Sequence, residues 1–240
     1  MSKLWETAKN SLGFVAVCIG MFAALCLLSK LLEKALPHAR KAKGARYIAF
    51  VAMFSAIGAV LMLFDIPLFF APGFYKLDLS ELPVLLCSFY LGPVAGIISE
   101  FLKNILKLLI KGSSTAFVGE FANFVVGASF VLPASAIYCA KRNAKAGWIG
   151  MAVGTLIMTV FGSVFNALYL IPRFASLYGM ELKAIVAMGT KVNSAITSLP
   201  TLVLFAVVPF NLLKGVCDSL LTGLLYKRLE KVFFKDCSRL

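Results

Sequence analysis

Residues 82–110 read LPVLLCSFYLGPVAGIISEFLKNILKLLI. The run is mostly apolar and is broken once, at Gly92-Pro93. A helix crosses a bilayer in about 20 mostly apolar residues, and a Gly-Pro pair marks a turn. The stretch therefore splits into a short helix, Leu82–Leu91, and a longer one, Val94–Ile110. The first half is short for a full crossing and calls for shielding by its neighbours. Two apolar helices joined by a tight turn are what an all-α, polytopic membrane bundle requires.

The flanking sequence extends the same pattern. Toward the N-terminus lie a loop (71–81), a span of about Tyr47–Phe70 that ends near Pro67, and a linker carrying Lys34, His38, Arg40, Lys41, Lys43 and Arg46. Before the linker comes Leu12–Leu32. This stretch is too long for a signal h-region, and no small-x-small cleavage site follows it, so it reads as a retained helix. Toward the C-terminus, Gly112-Ser113-Ser114-Thr115 makes a turn before a span of about Phe117–Ala140. A basic turn (Lys141, Arg142, Lys145) and a span of about Trp148–Ile171 follow. The less apolar 172–200 carries Arg173, Glu181, Lys183, Lys191 and Asn193 and is expected to be a loop with an interfacial helix. The last span is about Thr201–Tyr226, and the tail holds Lys227, Arg228, Lys231, Lys235 and Arg239. The expected organisation is an extra N-terminal helix with its linker (1–45), a six-helix core (46–228) and a basic tail (229–240).

Composition agrees. Of 240 residues 60% are hydrophobic and 15% charged, with a mean hydropathy of +0.91. Soluble domains are about 45–50% apolar and about 25% charged, so an ordinary cytosolic enzyme, a disordered chain and a coiled coil are excluded. The net charge is +13. The apolar runs leave no continuous basic face for a duplex, so nucleic acid is not an expected partner; membrane lipid is. The linker, the 141–147 turn and the tail hold five, three and five of the 24 Lys and Arg. Seven spans place all three on one side, as the positive-inside rule requires. The expected topology has the N-terminus outside and the C-terminus cytoplasmic. The six cysteines form no C-x-x-C pair, five of them lie in apolar runs, and they read as small buried residues.

Polar groups at membrane depth carry the functional signal, because a charge at a helix centre costs about 2.5–3.5 kcal/mol on insertion scales. Glu100, Lys103, Asn104 and Lys107 share one helical face. Two readings stay open: Glu100 neutralised by Lys103 with Lys107 reaching the outer interface, or a face lining a cavity. Glu120 lies near a helix N-terminus, which favours an anion; Asn123, one turn further in, exceeds what capping needs. Asn166 follows an apolar and aromatic run, and Asn211 and Lys214 share a face at i, i+3. Lys214 lies roughly 20 Å from the basic tail at about 1.5 Å per residue. It either forms a self-neutralised pair with Asp218 or serves a site. Asn166, Asn211 and Lys214 make a hydrogen-bonding set suited to a polyhydroxylated or amide-bearing solute, with Phe124, Phe165 and Phe210 placed to cover a flat ring. Ala45, Ala49, Ala52 and Ala56 form a small-residue face suited to close helix contact, internal or with another membrane subunit. Gly92/Gly96 and Gly150/Gly154 are weaker examples.

No G-x-x-x-x-G-K-[ST], H-E-x-x-H or G-x-G-x-x-G occurs, and His38 is the single histidine. The sequence therefore offers no P-loop, multi-histidine metal site or Ser–His pair within the membrane.

Several motifs, in order, resemble the riboflavin-specific substrate-binding (S) components of energy-coupling factor (ECF) transporters, the RibU family. They are KLDLSELP (76–83), LGPVAG (91–96), EFLKN (100–104), GEFANFVVG (119–127), SFVLP (129–133) and PFNLLKG (209–215). Leu79, Glu81 and Phe121 stand where Phe, Asp and Leu are expected, and the helix at Leu12–Leu32 lies outside the six-helix pattern. The resemblance implies a non-enzymatic subunit with no cofactor. It would capture riboflavin at the outer face and dock on a transmembrane coupling protein with two ATPases that drive its delivery inward. Asn166, Asn211 and Lys214 would hydrogen-bond the flavin or its ribityl chain. The loop from Phe74 through Tyr75, Lys76, Leu77 and Asp78 would close over the rings. Asn123, Phe124 and Phe165 complete the expected ligand set, and Ala49, Ala52 and Ala56 would meet the coupling protein. An S component for another vitamin or flavin-like solute, a membrane-embedded enzyme and a purely structural subunit are the alternatives.

Overall fold

Gly92 takes φ 109°, a conformation open to glycine, and Pro93 opens the next helix. The Gly-Pro turn thus sits where the sequence places it, between α3 (Glu81–Leu91) and α4 (Pro93–Lys111). The computed structural model describes residues 2–36, 44–113 and 117–229. The charged centre of the linker, with His38, and the tail beyond Leu229 lie outside them.

The fold is an all-α membrane bundle. Two helices, α1 (Ser2–Ala35) and α2 (Ala45–Leu63), precede α3; α5 (Val118–Lys141) and α6 (Ala144–Phe165) follow α4. The chain then runs through α7 (Ile171–Tyr178), α8 (Leu182–Thr190), α9 (Leu199–Leu202) and α10 (Val208–Leu229). Five stretches are long and apolar enough to cross a membrane: Leu12–Ala35, Ala45–Leu63, Val118–Lys141, Ala144–Ser176 and Leu199–Tyr226. Every residue of α3 is buried, packed among α2, α4, α5 and α10. That is how so short an apolar helix keeps its ends from lipid. α4 is amphipathic in the sense a membrane demands: Ser99, Glu100, Lys103 and Asn104 face the bundle, while Leu109 and Ile110 are exposed.

Two sequence expectations change. The second span ends at Leu63, not near Phe70. Residues 66–67 form a strand, β1, that pairs antiparallel with β2 (Lys76–Leu77), Ile66 opposite Leu77. Pro67 cannot continue a helix, and the strand pair folds 64–80 into a cap over one end of the bundle. The second change is at Pro172, which does not end its helix. A π-helical turn, Asn166–Leu170, links α6 to α7, and the helix continues to Tyr178. At Pro209 the last span runs on as expected, with a second π turn, Val203–Val207, joining α9 to α10. A proline ring crowds the carbonyl four residues back; those carbonyls, at Leu168 and Phe205, lie in the two wide turns. The turns touch each other, and such turns often mark functional sites.

The small-residue faces separate by exposure. A Cβ on Gly150 would lie 2.6 Å from the Ala134 carbonyl oxygen and one on Gly154 2.7 Å from that of Phe130, so these glycines let α6 close on α5. Ala45, Ala49, Ala52 and Ala56 are exposed along α2.

Candidate functional site

The cap, the first π turn and the helices α5 and α10 line a cavity of about 370 Å³, within the roughly 300–1,000 Å³ range of small-molecule sites. Each wall has a sequence reason. Asn166, Leu170 and Phe174 follow one another at i, i+4, i+8 and reach the cavity from a single helical face. α5 contributes Val118, Ala122, Asn123 and Val126, and α10 contributes Phe210 and Asn211. The cap contributes Phe74, Tyr75, Lys76 and Asp78.

Four aromatic rings, Phe74, Tyr75, Phe174 and Phe210, belong to the lining. Phe74 stacks on Phe174 with centroids 5.5 Å apart, and Tyr75 lies 5.3 Å from Phe210. The Tyr75 hydroxyl donates to Asn166 Oδ1 at 2.9 Å, and Asn166 Nδ2 donates to the Gly162 carbonyl at 2.8 Å. Burial pushes the Tyr75 hydroxyl well above its usual range, so it stays a neutral donor. Asn211 is 3% exposed, and its Nδ2 has no hydrogen-bond partner among the described residues. A buried amide donor on the wall of a cavity is a directional element for a solute.

Charges frame the cavity. At the rim, Asp65 accepts from both Lys76 and Lys111 at 3.0 Å, which ties the cap to the end of α4. Burial works against the Asp65 charge, yet the hydrogen bonds and charges of the two lysines outweigh it and hold its carboxyl below the ordinary value. Lys107 pairs with Glu120 at 2.7 Å, and both line the cavity. The expected roles of snorkelling for Lys107 and capping for Glu120 missed this pairing across α4 and α5. Beneath the cap, Lys214 Nζ donates to Asp78 Oδ2 at 3.0 Å, while Asp78 Oδ1 accepts from the Ser80 amide. Lys214 thus pairs with the cap and not with Asp218, which replaces the i, i+4 pairing open in the sequence. Lys103 lies 2.8 Å from both Glu100 and Glu81, so the Glu100–Lys103 pair forms as one reading held, with Glu81 added from α3.

Of the expected ligand set, Tyr75, Lys76, Asp78, Asn123, Asn166 and Asn211 line the cavity, as does Phe210. Leu77, Phe124, Phe165 and Lys214 are not among its lining residues. Leu77 is committed to strand pairing. Phe124 packs on Phe22 and Phe101, and Phe165 on Phe161 and Tyr169, so both stand behind the wall. Sequence reasoning missed Phe174 and Ile185 because 172–200 read as a loop with an interfacial helix, and Leu170 and Ile171 because they read as the apolar end of a span; for Leu170 and Phe174 the four-residue spacing from Asn166 was the available signal.

A polytopic helical bundle with a capped cavity, four aromatic rings in its lining and buried amides on its wall defines a membrane protein that binds a small solute. The sequence model of the family described as "ECF transporter, substrate-specific component" matches residues 46–226. The "Riboflavin transporter RibU" of Staphylococcus aureus (strain TCH60) is 38% identical over 75% of this chain and 87% of its own length. The "Riboflavin transporter FmnP" of Bacillus subtilis (strain 168) is 31% identical over 75% of this chain and 90% of its own. A solved structure titled "Structure and mechanism of the S component of a bacterial ECF transporter" superposes with a TM-score of 0.61 at 37% identity, over 78% of this chain and 96% of that one. The chain belongs to the family of substrate-specific components of ECF transporters, which are membrane transport subunits and not enzymes.

Proposed function

We propose that the chain captures riboflavin at the outer membrane face and releases it inward when docked on an ECF module of one transmembrane coupling protein and two ATPases. The observation that carries this reading is the cavity itself. Its rings (Phe74 stacked on Phe174, Tyr75 tilted against Phe210) suit a flat heteroaromatic system, and Asn211 offers a donor unpaired among the described residues to a polar edge or chain. The names of the relatives point the same way.

In this reading Asn166, Asn211 and Asn123 hydrogen-bond the flavin or its ribityl chain. Tyr75 and its neighbours in the cap close over the rings, and Lys214 acts through Asp78 by holding the cap down. Residues 46–228 form the binding core, entered from outside, with the N-terminus outside and the C-terminus in the cytoplasm. The exposed Ala49, Ala52 and Ala56 form the surface that meets the coupling protein. Protein purified from riboflavin-containing medium is expected to be yellow, with flavin absorbance co-eluting. A colourless protein that also leaves added riboflavin fluorescence unquenched would overturn the reading.

A further inference from the structure

The family match begins at residue 46 and leaves α1 without a part. Most of the described hydrophobic side chains of α1 face outward: Leu12, Ile19, Leu27 and Leu31 are all more than half exposed. Against that background Phe14 is an exception, at 7% exposure. It heads a stripe that continues through Cys18, Phe22, Leu25 and Leu32, the side of α1 that packs on α4 and α5.

Phe14 makes two contacts that lead to the cavity. Its ring meets Phe121 edge-on, with centroids 5.5 Å apart. Phe121 belongs to the same buried cluster as Val118 and Leu170, both of which line the cavity. The Arg173 guanidinium lies over the Phe14 ring, 5.7 Å from its centroid. The next residue, Phe174, is the cavity wall on which Phe74 of the cap stacks. Phe14 therefore holds two wall elements, the start of α5 and the helix after the first π turn. Interiors are close-packed, so a lost ring at one position is transmitted to its neighbours.

We propose that α1 buttresses the wall of the binding site from behind and that Phe14 is a positioning residue for the ligand, acting through Arg173 and Phe121. The inference rests on the riboflavin reading above. The test measures riboflavin Kd and thermal stability on the full-length purified chain. Phe14→Ala is expected to raise Kd about three- to tenfold, the scale of one aromatic or cation–π contact, and Phe14→Tyr to restore it. Leu32→Ala, on the same stripe about 27 Å further along the axis, is expected to lower stability at most and leave Kd within about twofold. If Phe14→Ala does not fold, Phe14→Leu is read by the same criteria, since it keeps bulk and loses the ring face. Wild-type affinity in the folded Phe14 variant, or an equal loss in Leu32→Ala, overturns the inference while leaving the riboflavin reading intact. A wild-type chain that does not bind riboflavin overturns both.

Discussion

In the proposed function Asn211 would serve the site through an amide donor that has no partner among the described residues. Its amide lies against Gly162 of α6, where a Cβ would come within 2.9 Å of Nδ2. The glycine leaves room for the amide on the wall. A net hydrogen bond contributes about 0.5–1.5 kcal/mol, so Asn211→Ala is expected to raise the riboflavin Kd roughly two- to tenfold with the melting temperature unchanged. Titration of flavin fluorescence checks this, and an unaltered Kd would remove the assigned role. Lys214 differs because its ammonium is already paired. Removing one partner of a buried pair costs about 3–5 kcal/mol, as it strands the other charge. Lys214→Ala is expected to loosen the cap and speed riboflavin release, and Lys214→Met with Asp78→Asn to recover much of the loss. The depth of Lys214 was legible from its distance to the tail. Its partner was not, because Asp78 lies 136 positions away in the chain and only the cap brings it near.

At the scale of elements, the cap is held by charge at its rim and by stacking inside. Asp65 is the common acceptor for Lys76 and Lys111. Its carboxyl titrates below its free value, so its contribution to closure is present above that value and fades as pH falls through the carboxylate range. Each exposed pair contributes at most about 1 kcal/mol and is screened by salt. Riboflavin release is therefore expected to quicken modestly at low pH or high salt, and Asp65→Asn to abolish that dependence. Stopped-flow release measured across pH in both proteins checks it; a variant that keeps the full pH dependence would exclude Asp65 as the latch. The helices themselves were largely legible, since α3, α4 and α5 follow directly from apolar runs and the Gly92-Pro93 turn. The π turns were not. Proline normally ends a helix, and no local rule shows that a wide turn will absorb Pro172.

For the whole molecule, the two small-residue patterns have opposite fates. Gly150 and Gly154 are consumed inside the bundle, where α6 meets α5, whereas the alanine stripe of α2 remains exposed. An exposed stripe of small residues permits close approach by another membrane helix. Ala52→Trp is expected to leave riboflavin binding intact and to abolish ATP-dependent uptake in cells that carry the ECF module. Normal uptake in that variant would rule out the stripe as the docking surface.

The sequence by itself determined the membrane class, the main helices and the polar residues that lie at depth, because hydropathy, chain length and turn residues are local properties. It also placed the motifs that mark the family. Tertiary structure alone decided which polar residue meets which, that Phe124 and Phe165 stand behind the wall while Phe174 lines it, and that Phe14 of α1 meets Phe121 and Arg173. Those outcomes depend on contacts between segments far apart in the chain, where packing chooses among partners that periodicity leaves equivalent.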